Sequence, residues 1–283
     1  MPSATLLGQS ILSGIFIGGL YGLLGLGLSL SWGLLRLINL AHFALAFLGA
    51  YLTYALASAF HVDPLLTLLL IVPSFFVVGV ALQALFARFG VTEFTSLLVT
   101  FGITVVIESV IQWVWTADFR KLESSYGTTS LRVGNLFVPV AELLALLTAA
   151  ALAGLTWVGL RFTWVGKAMR ASAEDPQIAA AFGVNHRRLA LLLSGTGAAY
   201  AGVAGAFVAL IYTLAPSQIY AWIGVVFAAV IIGGLGNPLG PLVAGMVIGV
   251  SEAVTMALIA PAWAPLVSFT LLILVLLLRP DRV

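Results

Sequence analysis

The sequence predicts an all-α fold, a polytopic transmembrane helical bundle of about nine spans. Hydrophobic residues make up 62% of the 283 residues and charged residues only 8%, and the mean hydropathy is +1.17. A soluble domain carries about 25% charged residues, so this chain has too little polar surface to coat a globule in water. Its apolar residues also gather in runs of about 20, the length of helix that crosses the hydrocarbon core of a bilayer. We therefore expect residues 1–283 to form one membrane domain.

Nine apolar runs are long enough, or nearly long enough, to cross a bilayer. They lie at residues 9–31, 41–59, 65–87, 94–115, 138–160, 189–212, 220–235, 239–258 and 265–278. The seventh and ninth runs are short, so eight to ten crossings is the expected range, and a re-entrant segment in place of one span is an alternative. Polar interruptions in the pattern also allow an inverted repeat with broken helices.

The basic residues are distributed unequally between the two sides of a nine-span chain. One side receives nine of the 12, namely Arg36, Arg88, the five basic residues of the stretch 161–188, Arg279 and Arg282. The other side receives Arg120, Lys121 and Arg132. Because Lys and Arg are enriched in cytoplasmic loops, we expect the N-terminus to lie outside and the C-terminus in the cytoplasm. No Lys or Arg precedes Arg36, so we interpret the first run as a retained span rather than a signal peptide.

Small residues recur at four-residue steps in three of the runs. The rows are Gly14, Gly18 and Gly22 in the first run, Gly197, Ala201 and Gly205 in the sixth, and Gly245 and Gly249 in the eighth. Small side chains on one helix face let membrane helices approach closely. We favour packing within the chain, with contact between subunits as the alternative.

The chain is organised around a polar stretch at residues 161–188, which holds five of the 12 basic residues. Asp175 followed by Pro176 predicts a helix start, because an aspartate oxygen accepts from free N–H groups and proline fits the first turn. Gly183 predicts the helix end, and Asn185 predicts a cap for the next helix. The apolar residues between them share one face: Ile178, Ala181 and Phe182. We expect a short amphipathic helix in a cytoplasmic loop, where its apolar face needs a protein partner.

Two stretches break the helical pattern in corresponding halves of the chain. Residues 32–42 contain Arg36, Asn39 and His42 within an apolar run, and residues 233–241 contain Gly233, Gly234, Gly236 and Asn237 together with two prolines. Irregular backbone at membrane depth is tolerated only against protein or water, and paired interruptions point to a transport pathway. A pair of tight turns between helices is the alternative. Because the expected topology puts both stretches near the cytoplasmic face, we interpret them as an inner gate rather than a mid-membrane binding site.

Two carboxylates lie well inside apolar runs. Glu108 is in the fourth run, one turn before Gln112, and Glu252 is in the eighth. A carboxylate at this depth is costly and usually faces the bundle interior, so both are candidates for the translocation pathway. A structural role is the alternative, with hydrogen bonds to Ser109, Ser251 or a neighbouring helix.

Several kinds of chemistry lack support in the sequence. There are no cysteines, so disulfides and thiolate sites are excluded, and the three histidines have no ligand partners at metal spacing. No Ser-His-Asp arrangement or GxSxG motif stands out, so we do not expect an enzyme, and an intramembrane enzyme has no support. The stretch near Gly166 lacks the first glycine and the final Ser/Thr of a P-loop, so ATP hydrolysis is expected only on another subunit. The net charge of +2 does not argue for nucleic acid.

The polar stretch carries a resemblance to a known family. The run RASAEDPQIAAAFGVNHRRLALL resembles the signature loop of branched-chain amino acid ABC transporter permeases, in which Arg-Ala-x-Ala-Glu-Asp leads through a small helix to Gly-(Val/Ile)-Asn. Residues 33–51, with an Arg-x-Ile-Asn-x-Ala-His core, and the run GGLGNPLGPLVAGMVIGVSE agree with it. The resemblance covers nearly the whole chain and looks most like the H-type of the two paralogous permease subunits. Two departures are Pro176 after Glu-Asp and Phe43 where the family commonly has glycine.

The resemblance implies a permease subunit of an ATP-driven importer for branched-chain or other hydrophobic amino acids, working by alternating access. The implied partners are a second paralogous permease, two cytoplasmic ATP-binding subunits and an extracytoplasmic solute-binding protein. ATP and Mg are then expected on the ATP-binding subunits, and no cofactor or metal in this chain. The implied location is the bacterial or archaeal cytoplasmic (inner) membrane. Carried over by position, a coupling segment at 171–185 docks on an ATPase, and its predicted residues, with the preceding arginine, are Arg170, Ala171, Ala173, Glu174, Asp175, Ala179, Phe182, Gly183 and Asn185.

Other functions stay open at this point. Relatives of the family carry urea, short amides or other amino acids, and the sequence does not separate these substrates. From a different class, the alternative is a self-contained secondary transporter coupled to protons through Glu108 or Glu252. It predicts uptake by the chain alone, driven by a pH gradient.

Overall fold

The computed structural model describes residues 4–278, and this part of the chain is helical apart from one small hairpin and the connecting loops. The helices are α1 (Ala4–Leu35), α2 (Ala41–Phe60), α3 (Leu68–Phe89), α4 (Glu93–Trp115), α5 (Ser125–Thr128), α6 (Val140–Phe162), α7 (Trp164–Glu174), α8 (Pro176–Ala181), α9 (His186–Ile211), α10 (Ile219–Gly233), α11 (Gly240–Leu258) and α12 (Ala264–Leu278). The hairpin pairs β1 (Ser130–Val133) with β2 (Leu136–Pro139). Single 3-10 turns at Pro216–Gln218 and Pro261–Trp263 precede α10 and α12.

Nine helical segments among the described residues are long and apolar enough to cross a membrane, which confirms the predicted number. They are α1, α2, α3, α4, α6, α9, α11, and α10 and α12 with their 3-10 turns. The bounds shift by a few residues: the third helix begins at Leu68 because residues 64–67 form turns, with the Asp63 side chain accepting from the backbone N–H of Leu65 at 2.8 Å. Arg279 and Arg282, which entered the orientation argument, lie outside the described residues. The inverted repeat stays a prediction.

The helix α1 lies at the centre of the bundle and packs closely against α11. A Cβ atom built on Gly18 lies 2.4 Å from the carbonyl oxygen of Gly245, and one built on Gly14 lies 2.7 Å from that of Gly249. Only glycine permits backbones this close, so the small-residue rows of the two helices face each other. The interpretation of these rows as packing within the chain is confirmed.

The helix α9 occupies the other side of the core, between α2 and α3. A Cβ atom on Gly205 lies 2.0 Å from the carbonyl oxygen of Ala46 in α2, and one on Gly202 lies 2.8 Å from the Ile71 side chain in α3. The spans α1 and α9 are the most buried of the nine. By contrast α3, α4, α6 and α12 turn many large apolar side chains outward, as helices that face lipid do.

The β hairpin lies in the loop between α4 and α6 and was not predicted from the sequence. Gly134 has φ +63° and, with Asn135, makes the two-residue connection that suits the twist of paired strands. The hairpin is fixed to the first turns of α1, because the Gln9 amide both donates to the Phe137 carbonyl (2.9 Å) and accepts from its N–H (3.0 Å).

Candidate functional site

The polar stretch 161–188 begins in the last residues of α6 and continues as α7, α8 and the first turn of α9; α7 was not predicted from the sequence. The Asp175 carboxylate accepts from the backbone N–H groups of Gln177 and Ile178 at 2.9 and 3.0 Å, with Pro176 as the first helical residue. Gly183 follows α8 with φ +83°, and Asn185 accepts from the N–H of Arg188 at 3.0 Å. Each cap satisfies N–H groups that the helix itself leaves free. The predicted helix start, helix end and second cap are therefore confirmed.

The helix α8 turns its large apolar side chains outward. Ile178 is 60% exposed and Phe182 85% exposed, whereas Ala179, at 4%, is the residue that rests on the protein. Ala181 is also exposed. The predicted apolar face is thus present but exposed, and the chain covers the face that carries Ala179 instead. Phe182 and Ile178 therefore leave an apolar surface on this polar loop that the chain itself does not cover.

The helix α7 holds α8 against the membrane bundle. Met169 and Ala173 pack on a buried cluster made by Leu30, Leu34, Leu160 and Leu193. His186 is exposed at the start of α9, and its Nδ1 lies 2.6 Å from the Ser172 hydroxyl of α7. The remaining predicted residues of this segment, Arg170, Ala171 and Glu174, lie exposed on α7.

Arg36 connects this segment with the first break in the helical pattern. Its Nη2 donates to the carbonyl of Ala173 at 3.3 Å, and its own backbone ends α1 with φ +54°. From the sequence, we predicted Arg36 as a gate residue and Ala173 as part of the coupling segment. The structure brings these two predicted sites into contact.

Residues 36–40, hereafter the first interruption, run as irregular backbone between α1 and α2. The Leu40 N–H donates to the Thr100 hydroxyl at 3.0 Å, and the Ile38 N–H to the Ser96 hydroxyl at 3.2 Å. Both hydroxyls belong to buried residues of α4, one turn apart. They supply the hydrogen bonds that irregular backbone requires inside a bundle. Sequence reasoning missed them, although polar residues at a four-residue step in an apolar helix are a detectable signal.

Asn39 and His42 have different environments within this region. His42 is buried, and its Nε2 lies 2.9 Å from the carbonyl oxygen of Leu24 in α1. The first residues of α2 therefore lie beside Leu24, several turns before the last residue of α1. Oδ1 of Asn39 is buried without a hydrogen-bond partner, at a small cavity lined also by Ser31, Gln83 and Ser194. His42 therefore has a structural contact, while Asn39 retains an unused acceptor.

Residues 234–239, hereafter the second interruption, lie against the same end of α1. Gly234 and Gly236 have φ +89° and +75°, values that glycine accepts readily. The Gly236 N–H donates to the Ser29 carbonyl at 3.1 Å, and a Cβ on Gly33 would lie 2.0 Å from that nitrogen. Asn237 accepts from the Leu239 N–H at 3.1 Å and so closes the turn locally. The predicted glycines serve a close backbone approach.

The two interruptions meet at one level of the bundle. His42 contacts Leu24, and Pro241, the second residue of α11, lies against Gly25. Both α2 and α11 therefore begin about ten residues, or roughly 15 Å, before α1 ends. Gly233 packs on Gly240 across the second break, with a built Cβ 2.2 Å from its carbonyl carbon. The structure thus gathers the predicted gate residues of both halves around the end of α1 that also contacts α7.

The two intramembrane carboxylates accept hydrogen bonds from different sets of donors. Glu252, 8% exposed, accepts from the Tyr21 hydroxyl at 2.9 Å and from the Ser268 hydroxyl. Glu108 accepts from the Tyr220 hydroxyl at 2.6 Å and from the Gln112 amide at 3.2 Å. Neighbouring helices thus provide the tyrosine and serine donors.

Ser109 and Ser251, the local partners considered from the sequence, bond to carbonyls of their own helices instead. The donors Tyr21, Tyr220 and Ser268 were not anticipated. Among the described residues no group of three or more His, Cys, Asp or Glu side chains is placed to hold a metal ion.

These features define a class, that of polytopic α-helical membrane proteins with broken helices and a structured polar loop. The family described as "Branched-chain amino acid transport system / permease component" matches residues 10–276, and the chain belongs to this family. It is similar to the high-affinity branched-chain amino acid permease LivH of Escherichia coli K12, at 27% identity over 97% of this chain and 94% of that protein. BraD of Pseudomonas aeruginosa is 26% identical with the same coverage, and the probable LivH of Methanocaldococcus jannaschii is 29% identical over 96% and 91% of the two chains. No solved structure matches the chain.

Proposed function

We propose that this chain is the permease subunit of an ATP-driven importer for branched-chain or other hydrophobic amino acids. The family supports the class of substrate, since its relatives are named as branched-chain amino acid transport permeases. The proposed setting is the bacterial or archaeal cytoplasmic membrane, with the N-terminus outside and the C-terminus inside. Residues 1–283 then form one membrane domain with its coupling loop at 161–188.

The observation that carries the proposal is the exposed apolar surface of α8. Ile178 and Phe182 point outward from a helix that the Asp175 side chain caps at its start and that ends before Gly183, whose φ is +83°. A rigid, capped helix presents these side chains at low entropic cost, which suits docking into a groove. The proposed partner at this surface is a cytoplasmic ATP-binding subunit. ATP and Mg bind there, and the transport chain carries no catalytic residues of its own.

In the proposed mechanism, closure of two ATP-binding subunits moves α8 and, through α7, the end of α1. Both interruptions lie against that end, where irregular backbone hinges more readily than a continuous helix. Alternating access would follow from rearrangement of α2 and α11 about these breaks. The complete importer also includes a second paralogous permease and an extracytoplasmic solute-binding protein.

Site-directed cross-linking tests the coupling role. Single cysteines at Gln177 and Ala180 lie on exposed positions of α8, and the natural chain has no cysteine to interfere. In membranes that contain the co-expressed ATP-binding subunits, we expect both cysteines to cross-link to an ATP-binding subunit, with a yield that changes on addition of ATP. A cysteine at Arg132, exposed on β1 at the opposite side of the predicted topology, is the matched control and should not cross-link.

The contrary result is equally definite. No cross-link from either position, together with amino acid uptake by the isolated chain along a pH gradient, would contradict the proposal. Such a result would favour the proton-coupled transporter and would make Glu108 and Glu252 the residues to substitute first.

A further inference from the structure

A crevice of about 320 Å³, hereafter the α3–α9 crevice, lies between the end of α3, the start of α9 and the first interruption. Its lining includes residues from all three elements, among them Leu37, Gln83, Phe86, Ala87, His186 and Arg187. Ala87, His186 and Arg187 are exposed, so the crevice opens at the protein surface. Its volume lies at the lower end of the range for small-molecule sites, about 300–1,000 Å³. The lining residues therefore share one open space that a ligand can enter.

The α3–α9 crevice lies at the ends of two membrane spans, where a bilayer meets water. One of its walls is α3, which ends at Phe89, and another is α9, which begins at His186. Gln83 lies six residues before the end of α3, so the crevice reaches about 9 Å along that helix. Leu85 and Phe89, 44% and 72% exposed, turn apolar surface outward on the same part of α3. A polar mouth thus adjoins an apolar flank, which suits an amphiphilic ligand.

Two polar side chains of the crevice have hydrogen-bond donors to spare. Gln83 is 8% exposed, and its Oε1 accepts from the Ser194 hydroxyl at 2.8 Å, but no described residue accepts from its amide nitrogen. Within residues 4–278, the Arg187 guanidinium makes no hydrogen bond or ion pair. No Asp or Glu is among the described residues that line the crevice. Arg187 therefore lacks a counter-ion in the part of the chain that the structure describes.

These groups select an anion that carries apolar chains. Phosphate oxygens accept hydrogen bonds from both guanidinium and amide N–H groups. An amino acid would bring an ammonium group for which the crevice has no acidic partner, and a soluble phosphate would leave the apolar flank unused. Basic pockets between membrane helices at the cytoplasmic surface are suited to anionic lipid headgroups. We propose that the α3–α9 crevice binds the headgroup phosphate of an anionic phospholipid, with Arg187 as its counter-ion and Gln83 as a second donor.

Binding is tested by native mass spectrometry of the full-length chain, purified in detergent and freed of lipid. We expect the first molecule of palmitoyl-oleoyl-phosphatidylglycerol to bind at least about fivefold more tightly than the matching phosphatidylcholine, whose choline cation has no partner in the crevice. Glycerol 3-phosphate, which has the phosphate but no acyl chains, should not displace the lipid at equal concentration. Equal affinity for the two lipids would overturn the proposal. Displacement by glycerol 3-phosphate would overturn it too, because the crevice would then be a site for a soluble anion.

Two adjacent arginines distinguish a defined site from general attraction between basic residues and anionic lipid. Arg188 is exposed like Arg187 but does not line the crevice. General attraction is worth a factor of about five for each arginine, so Arg188→Gln should weaken phosphatidylglycerol binding by no more than that. Arg187→Gln also removes a charge-assisted hydrogen bond and should weaken binding by about 10- to 100-fold. Equal losses in the two variants would overturn the site.

A variant that keeps every charge tests the crevice itself. Ala87→Trp places an indole ring at its mouth, whereas Ala81→Trp places the same ring on an exposed position of α3 outside the crevice. We expect Ala87→Trp to lose the preference for phosphatidylglycerol over phosphatidylcholine and Ala81→Trp to keep it. Both positions are exposed, so both variants should unfold near the midpoint of the natural chain. An unchanged preference in Ala87→Trp would show that the lipid binds elsewhere.

The α3–α9 crevice also adjoins the elements that the proposed mechanism moves. His186 contacts Ser172 of α7, and Leu37 belongs to the first interruption. Under the proposed function, the importer should take up leucine faster in liposomes that contain phosphatidylglycerol than in phosphatidylcholine alone, and Arg187→Gln should reduce this difference. The binding experiments use the chain without its partners. An importer that is inactive in every lipid would therefore contradict the proposed function, whereas only the binding results decide the lipid site.

Discussion

Replacing Thr100 by valine tests how the first interruption is held in the bundle. The Thr100 hydroxyl accepts from the Leu40 N–H at 3.0 Å and lies 3.2 Å from the Ile38 carbonyl oxygen. Valine has nearly the same shape, so it leaves the packing intact. It removes these polar contacts and the bonds from the hydroxyl to the Ser96 and Leu97 carbonyls of its own helix, at 2.7 and 3.3 Å. The Ile38 carbonyl keeps the Ser96 hydroxyl at 3.3 Å, whereas the Leu40 N–H loses its acceptor. One unsatisfied buried donor costs about 1–3 kcal/mol, and this is the expected loss in free energy of unfolding.

Thr104→Val is the matched control. Thr104 lies one turn further along the same helix and is equally buried, but its hydroxyl donates only to the Thr100 carbonyl of its own helix. That carbonyl keeps its place in the helical ladder, so we expect a change within about 0.5 kcal/mol. Thermal unfolding of the purified chain, followed by tryptophan fluorescence, measures both variants. At about 2–4 °C per kcal/mol, Thr100→Val should lower the midpoint by several degrees, and equal midpoints for the two variants would refute the reasoning.

Two further predictions concern packing and pH. Gly18→Ala places a Cβ 2.4 Å from the Gly245 carbonyl oxygen and should lower the free energy of unfolding by about 1–3 kcal/mol or more. The control is Gly154→Ala, whose Cβ meets nothing within 4 Å and which should be neutral or stabilise the chain by up to about 1 kcal/mol. Similar unfolding midpoints for the two variants would contradict close α1–α11 packing. In the loop after α4, the hydrogen bond from Tyr126 to Asp63 (2.6 Å) raises the pKa of the Tyr126 phenol above its ordinary value of 10.0. The contribution of this phenol to stability is then complete below that value and lost as the pH rises through the raised pKa, so Tyr126→Phe should flatten the dependence of the midpoint on pH above about 10. A profile identical to that of the natural chain would show that the bond contributes nothing.

The spans and the helix caps were predictable because their signals are local. A run of about 20 apolar residues specifies a crossing whatever its neighbours are, and Asp175 caps the very next residues of the chain. The same holds for Gly183, whose positive φ is the ordinary end of a helix. These features were predicted correctly without any knowledge of the tertiary fold.

The contacts that build the site are long-range, and the sequence contains no rule that pairs their members. Tyr21 and Glu252 are 231 positions apart, and Tyr220 lies 112 positions from Glu108. The sequence marked both carboxylates as costly in a membrane, which is a property of each residue alone. Which donor meets each of them depends on how nine helices pack, so only the need for a partner was predictable. The burial of Ala179 instead of Ile178 has the same cause, since α7 decides which face of α8 is covered.

Under the proposed function, the strength of two connections decides how α7 acts on the first interruption. The hydrogen bond from Arg36 to the Ala173 carbonyl is long, at 3.3 Å, and exposed, so its net contribution is at most about 0.5–1.5 kcal/mol. Met169 and Ala173 also pack on Leu34 and Leu193, and close-packed side chains transmit a displacement without a gap. The packed cluster is therefore the stronger connection between α7 and the end of α1, and the Arg36 hydrogen bond is the weaker one.

A displacement of α7 is transmitted to α1, which is itself held in place by its packing. The glycines of α1 lie in backbone contact with α11 over several turns, so α1 moves only together with α11. The first interruption has no such contact with α4 and is held there by the Ser96 and Thr100 hydroxyls. A hydroxyl bond can exchange partners at the cost of about one hydrogen bond, whereas separating two packed helices forfeits every contact along them. Under the proposed function, we therefore expect the break between α1 and α2 to yield before the α1–α11 contact does.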